Sequence, residues 1–220
     1  MILNKELLTN IPLFDGITEA ELARLDRILS PCIREYRPGE FLSHPEDIFE
    51  EIVIILHGKV HMISEDFWGN QNIIAEFADL SLFGEAHSLS RMPMFFSLAV
   101  VKSSTLLSFR AQKLRAPEFQ NEIALRKLCD NLMNIIIEKK LYYMKKADIL
   151  SRRSLREKIS AFLSEEYRKK GTPSFRIPYD RQQMADYLST DRSALSKELS
   201  KMKREGILDY NHNWFHLKSF

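Results

Sequence analysis

The sequence predicts an α+β protein built from a β-rich first part and a helical second part, and three observations carry that prediction. From about residue 33 to 110, short runs rich in Ile, Val and Phe alternate with turn signals. From Pro117 to Leu150 the chain continues with neither Gly nor another Pro. The remainder holds a series of well-capped helices and an excess of basic residues. At 220 residues the chain can form one large domain or two modest ones, and the change of texture favours two. A hydrophobic fraction of 45% and a charged fraction of 28% are those of an ordinary globular protein, which excludes disordered and fibrous classes. No stretch approaches the roughly 20 apolar residues of a membrane span, and Lys5 and Glu6 interrupt the apolar start MILNKELLTNIPLF, so a cytoplasmic protein without membrane contact is expected.

Taken in order, residues 4 to 30 read as short helices. In TEAELARLDRIL, Thr18 is the N-cap, Glu21 completes a capping box, and Leu22, Leu25 and Leu29 recur at helical spacing. The runs EIVIIL, KVHMIS, NIIAEF, FFSLAVV and TLLSF follow, separated by Pro38-Gly39, His57-Gly58, Gly69-Asn70 and Phe83-Gly84, which together describe a β-sandwich or barrel. Residues 117 to 150 then form one helix of roughly 50 Å at 1.5 Å per residue, longer than a small domain needs. Two apolar stripes run along it. One holds Leu125, Leu128, Leu132, Ile135 and Tyr142, and the other Cys129, Leu132, Ile136, Tyr143, Ala147 and Leu150. One stripe would cover the sheet and the second a copy of the same helix, so a homodimer is expected. Lys139 and Lys140 interrupt both stripes and leave a wide single face in a monomer as the alternative.

The overall charge of +2 hides an asymmetry. Residues 149 to 220 hold 15 Lys and Arg against 9 Asp and Glu, a balance of +6, while residues 1 to 148 hold 17 against 21, a balance of −4. A basic C-terminal part suits a polyanion, although a solvated basic face gives the same count. Ser154 and Glu157 box the start of a helix that Gly171 ends, and FRIP is strand-like. Asp180 and Gln183 then box DRQQMADYL, and after a break of two or three residues Asp191 caps a second helix, DRSALSKELSKMKREG. Helix, tight turn, helix is the geometry that offers a second helix to the major groove of double-stranded DNA. Leu195, Leu199 and Met202 form its inner face, opposite Arg192, Ser193, Ser196, Lys197, Ser200, Lys203 and Arg204. Serine lets the backbone approach base edges, and Arg192 can reach a guanine O6/N7 edge. Lys197, Lys201, Lys203 and Arg204 suit phosphates. ILDYNHNWFHL reads as a hairpin turning at Asn211-His212-Asn213, the wing of a winged helix-turn-helix. Arg181 at the start of the first helix and Asn213 in the wing complete the candidate DNA contacts.

In this order, IPLFDGITEAEL, YRPGEFL, ILHGKVHMIS, LFGE and LSTDRSALSKELSKMKREGIL resemble the cyclic AMP receptor/fumarate-nitrate regulator (Crp/Fnr) superfamily of bacterial transcription regulators across essentially the whole chain. The resemblance implies an N-terminal β-roll sensor domain of the jelly-roll, cyclic-nucleotide-binding-like kind over 1–116, a dimerisation helix over 117–150 and a winged helix-turn-helix DNA-binding domain over 151–220. It implies a homodimer reading a palindromic operator, with RNA polymerase as a further partner of an activator, and it sets the pivot between helix and DNA-binding domain near residues 148 to 153. It places Arg192, Ser193 and Lys197 at the base-contacting positions; the family often has Glu in place of Ser193, so acceptance from a cytosine N4 is absent here. Phe83, Gly84 and Glu85 match the start of the family's phosphate-binding cassette, but PMFFSLAV sets Phe95 and Phe96 where cyclic-nucleotide binders carry Arg. A cyclic phosphate would be left unpaired there, so no cyclic AMP binding is expected. A small apolar effector near Gly84, Glu85, Phe95, Phe96, Ser97 and Tyr143 is the alternative to no effector at all.

No cofactor is expected. Cys32 and Cys129 lack metal or cluster spacing and read as buried small hydrophobes, and His87 reads as an ordinary surface or core residue rather than a haem ligand. Two other classes compete with a DNA-binding regulator. His57, His61 and Glu65 faintly resemble the metal site of cupin enzymes, although Gly58 is expected to turn the chain between the two histidines. A ligand-binding regulatory module without DNA contact is the second, and it would need no basic, serine-rich helix.

Overall fold

The computed structural model describes residues 2–8 and 10–218. The chain divides into two compact units, Met1–Ile136 and Ile137–Phe220. The first begins with a 3-10 turn at Pro12–Phe14 and helix α1, Glu19–Leu29. Thr18 and Glu21 close the expected capping box, with the Glu21 backbone N–H donating to Thr18 Oγ1 and the Thr18 N–H donating to Glu21 Oε2. Strands β1 (Cys32–Tyr36), β2 (Phe41–Ser43), β3 (Glu51–Glu65), β4 (Gln71–Ala78) and β5 (Leu82–Phe83) follow, then helix α2 (Glu85–Ser90) and strand β6 (Ser97–Arg110). They form one antiparallel sheet in the order β1-β6-β3-β4, with β2 also on β6 and β5 also on β3.

The two longest strands, β3 and β6, pair along most of their length. β3 runs unbroken from Glu51 to Glu65, and its register on β6 shifts near His57 and Lys59, around Gly58. Gly58 therefore marks a bulge, not the turn expected from the sequence. Its φ of +116° and the Ser104 side chain, which a Cβ would meet at 2.1 Å, both require glycine. Phe83, Met94, Leu98, Val100 and Val60 fill the inside of the roll, and Phe77 stacks on Phe83 at 5.0 Å.

Helix α3 spans Ile123–Leu150. Its first half buries Leu125, Leu128 and Leu132 against α1, Ile52 and Phe109, as the first expected stripe requires. Cys129 and Ile136 of the second stripe also pack on that cluster, Cys129 only half-buried. The face left open on α3 is instead Met133, Ile137, Leu141 and Met144, each about half exposed, with Tyr143 beside them.

The second unit holds the rest of α3, then α4 (Leu155–Lys170), β7 (Ser174–Arg176), α5 (Arg181–Tyr187), α6 (Arg192–Arg204), β8 (Leu208–Asn211) and β9 (Trp214–Leu217). The boxes at Ser154/Glu157 and Asp180/Gln183 both form, and Gly171 ends α4 in the left-handed region. β7, β9 and β8 make a small sheet. Ile149 joins the core of this unit with Ile159, Phe162, Leu163, Leu195 and Leu199. Residues 148 to 153 thus lie within the second unit, where Arg152 donates to both oxygens of Asp148 at 2.8 Å.

Candidate nucleic-acid interface

The second unit presents α6 by packing one face and leaving the other bare. Leu195, Leu199 and Met202 are buried, as their spacing predicts, on Met184, Ala185 and Leu188 of the preceding helix segment. The turn between α5 and α6 is tight: Ser189 takes a φ of +49° and the Thr190 N–H donates to Ala185 O at 3.0 Å. Asp191 occupies the N-cap position but its side chain makes no cap bond.

Arg192, Ser193, Ser196 and Lys197 occupy the first turns of α6, and among the described residues their side chains have no hydrogen-bond or ion-pair partner. Lys201 and Arg204 are exposed further along. Ser200 is engaged within the unit: its hydroxyl donates to Ser196 O at 2.8 Å and lies 3.1 Å from the Tyr210 hydroxyl of β8. Lys203 pairs with Asp209 and sits over the Tyr210 ring.

Arg181 and Asn213 also have internal partners. The Arg181 guanidinium donates to His212 O at 3.0 Å and lies 5.0 Å and 5.7 Å from the ring centres of Tyr210 and Phe215, so it braces the wing. Burial lowers its pKa from the usual 12.5, and the nearby Arg192 charge adds to that shift. Two guanidiniums therefore share one corner of the unit. Asn213 Nδ2 donates to Ile177 O at 3.2 Å, and the Ile177 N–H returns a bond to Asn213 O at 3.0 Å, which joins the wing turn to the end of β7.

Sequence reading missed the residue that fixes α6 from behind. Arg156, in the first turn of α4, donates from Nε to Glu198 Oε1 at 2.6 Å, from Nη1 to Glu205 Oε2 at 2.6 Å and from Nη2 to Glu205 Oε1 at 3.1 Å. The planar guanidinium presents a rigid fork that grips both oxygens of Glu205 while its Nε reaches Glu198, a geometry the point charge of lysine does not reproduce. The Glu205 and Glu198 carboxylates raise the pKa of Arg156, and Arg156 in turn lowers that of Glu205 from its usual 4.5. Tyr142, Tyr179, Tyr187 and Phe162 form an aromatic cluster that holds the end of α3 on the same core, with ring centres 5.3 to 6.3 Å apart. Burial raises the pKa of all three tyrosines above the usual 10.0.

The candidate effector residues fall in different places. Gly84 has a φ of +86° and heads α2, and Phe49 and the Glu51 carbonyl leave no room for a Cβ there. Glu85 is buried. Phe95 is exposed, with His87 and Phe96 edge-on at 5.4 and 6.4 Å, and Ser97 opens β6. Tyr143 belongs to the other unit. The cupin-like trio does not converge: His57 contacts Asp79 at 3.3 Å, His61 contacts Glu76 at 2.9 Å, and Glu65 accepts from Gln71 at 3.0 Å. Among the described residues no group of three or more His, Cys, Asp and Glu side chains could hold a metal ion, and no helix is long and apolar enough to cross a membrane.

The first unit is thus a β-roll, and the second is a helix-turn-helix with a wing. The family models for the cyclic nucleotide-binding domain and the Crp-like helix-turn-helix domain match residues 33–116 and 157–219. The chain belongs to the Crp/Fnr superfamily, with a cyclic-nucleotide-binding-like sensor domain and a DNA-binding helix-turn-helix. Among solved structures its fold is similar to that of CprK complexed with OCPA, at TM-score 0.63 and 14% identity over 89% of this chain and 91% of that one. It is also similar to CLP, the c-di-GMP responsive global regulator of Xanthomonas campestris, at TM-score 0.55 and 16% identity over 90% and 99% of the two chains. No curated protein matches the sequence.

Proposed function

We propose that the protein is a sequence-specific transcription regulator acting as a homodimer, whose two α6 helices enter successive major grooves of an inverted repeat with half-sites about one helical turn apart. The observation that carries this reading is the bare first half of α6, where among the described residues Arg192, Ser193, Ser196 and Lys197 stand without side-chain partners while the rest of the helix is braced. Arg192 and Lys197 reach base edges, the two serines allow close approach, and Lys201 and Arg204 neutralise phosphates. Arg181 and Asn213 shape the wing, and Arg181 adds charge beside Arg192.

The dimer rests on the open face of α3. Met133, Ile137, Leu141 and Met144 recur at i, i+4, i+8 and i+11, so they share one face of the helix, and a matching face on a second copy covers them. Residues 1–116 and 151–220 serve as sensor and DNA-binding domain, and between them the segment 117–150, whose helix α3 starts only at Ile123 after a 3-10 turn at Pro117–Phe119, serves for dimerisation. The effector is a small molecule other than a cyclic nucleotide, because Phe95 and Phe96 stand where a phosphate needs a cation and apolar side chains fill the roll behind Gly84. It acts through unequal affinity for two arrangements of the dimer. RNA polymerase is a partner if the regulator activates.

Selection of bound duplexes from a random pool by the full-length protein tests the reading. It should enrich an inverted repeat, and Leu141→Glu should give monomers in sedimentation and lose that enrichment. Recovery of unrelated sequences would overturn it.

A further inference from the structure

The β-roll carries a second feature that the DNA-binding reading does not use. Two adjoining cavities, of about 90 and 300 Å³, share Arg34, Glu51 and Ser108 in their walls. Arg34 and Tyr36 stand on one face of β1, Glu51 opens β3, and Ser108 lies on β6 opposite Cys32. The smaller cavity has an apolar floor of Tyr36, Leu42, Phe49, Val53 and Leu106. The larger one opens past Cys32, Phe109, Arg110 and Lys113.

The polar groups at the junction have spare capacity. Tyr36 engages the Arg34 guanidinium, which has five donors, and Arg34 Nη1 pairs loosely with Glu51 Oε1 at 3.8 Å. Among the described residues Glu51 accepts no side-chain hydrogen bond. Ser108 is 5% exposed, and among the described residues its hydroxyl meets only the Cys32 thiol, a weak partner, at 3.2 Å. A charge of each sign and a buried hydroxyl thus face one space above an apolar floor.

We infer that this junction binds a small zwitterion, a free amino acid with a branched aliphatic side chain, whose carboxylate takes Arg34 and Ser108 and whose ammonium takes Glu51. The charge pattern selects the class. A plain carboxylic acid at Arg34 would set a second anion beside Glu51, and a plain amine at Glu51 would face Arg34; an α-amino acid satisfies both. Size selects the side chain. A cavity of about 150 Å³ lined by apolar groups accommodates benzene, so the smaller cavity suits an aliphatic group of about four carbons. Arg110 and Lys113 at the opening draw the carboxylate end inward.

The proposal does not rest on DNA binding, and calorimetric titration of the full-length protein with L-leucine in the absence of DNA tests it alone. Saturable binding is expected. Arg34→Met and Glu51→Gln should each weaken it by about tenfold or more. 4-Methylpentanoate and 3-methylbutylamine, which keep the side chain and α-carbon of leucine but lack one charge, should bind more weakly by a similar factor. Glu51→Gln conserves size, so its result decides the matter if Arg34→Met does not fold. Absence of saturable binding at millimolar L-leucine would overturn the inference, as would unchanged affinity in the folded variants or equal affinity for 4-methylpentanoate.

Discussion

In the first two turns of α6, Arg192, Ser193, Ser196 and Lys197 meet no protein partner among the described residues, whereas further along Glu198, Ser200 and Lys203 are bound to Arg156, Tyr210 and Asp209. The two halves have similar composition and share one buried stripe of Leu195, Leu199 and Met202. Their difference lies in what surrounds them. α4 lies behind the second half and the wing strand β8 beside it, so polar side chains there hold the helix in place. The first half projects beyond those supports and keeps its polar side chains bare. A recognition helix needs both, because base contacts made from a loosely held helix would lose their geometry.

The largest expected effect separates the two halves by specificity. Arg192→Ala should cost about 1 to 3 kcal/mol on the preferred operator and relax the preference at one base pair per half-site, read from selected-site profiles. Arg156→Ala should instead weaken binding to every duplex alike and leave the profile unchanged, since it loosens the support and touches no base. Exchanging the charges, Arg156→Glu with Glu205→Arg, should recover part of the loss. The tie also has a pH signature. Arg156 holds the Glu205 carboxylate below its usual 4.5, so its contribution to stability is present above the unfolded carboxylate range and is lost as pH falls through the lowered value. Melting temperatures of wild type and Arg156→Ala should therefore converge on acidification.

Lys201→Ala should leave the profile intact and reduce the slope of log affinity against log salt by about 1. Tyr210→Phe, which removes the partner of the Ser200 hydroxyl, should lower stability by less than about 1 kcal/mol, measured by denaturant unfolding. At the far end of the scale, the tyrosine cluster of Tyr142, Tyr179 and Tyr187 should ionise above pH 10. Burial raises these folded-state pKa values, so the stability the cluster gives is complete below the unfolded value of about 10 and is lost as pH climbs through the raised ones. Absorbance titration near 295 nm would show it.

Local signals were legible in the sequence and distant ones were not. The boxes at Thr18/Glu21, Ser154/Glu157 and Asp180/Gln183 all form, because a cap and its partner lie three residues apart. The inner face of α6 and the wing turn at Asn211-His212-Asn213 follow from period and turn chemistry in the same way. Asp191 marks the start of α6 without capping it by its side chain, so the position was legible and the bond was not. EIVIIL and KVHMIS read as two strands because Gly58 resembles a turn signal, yet the partner β6 carries both through the bulge. The open face of α3 was missed for a related reason. Ile136 fits an apolar period as well as Ile137 does, and only the packing of the first unit decides which one is covered. The Arg156 bonds to Glu198 and Glu205 span 42 and 49 residues, and no local pattern announces them.

The central claim is that the bare half of α6 meets base pairs rather than solvent. Affinity for the selected inverted repeat against a scrambled duplex of equal length, measured at physiological salt, tests it most directly. The account predicts a preference of about a thousandfold or more. A ratio near one, with both affinities falling together as salt rises, would contradict it.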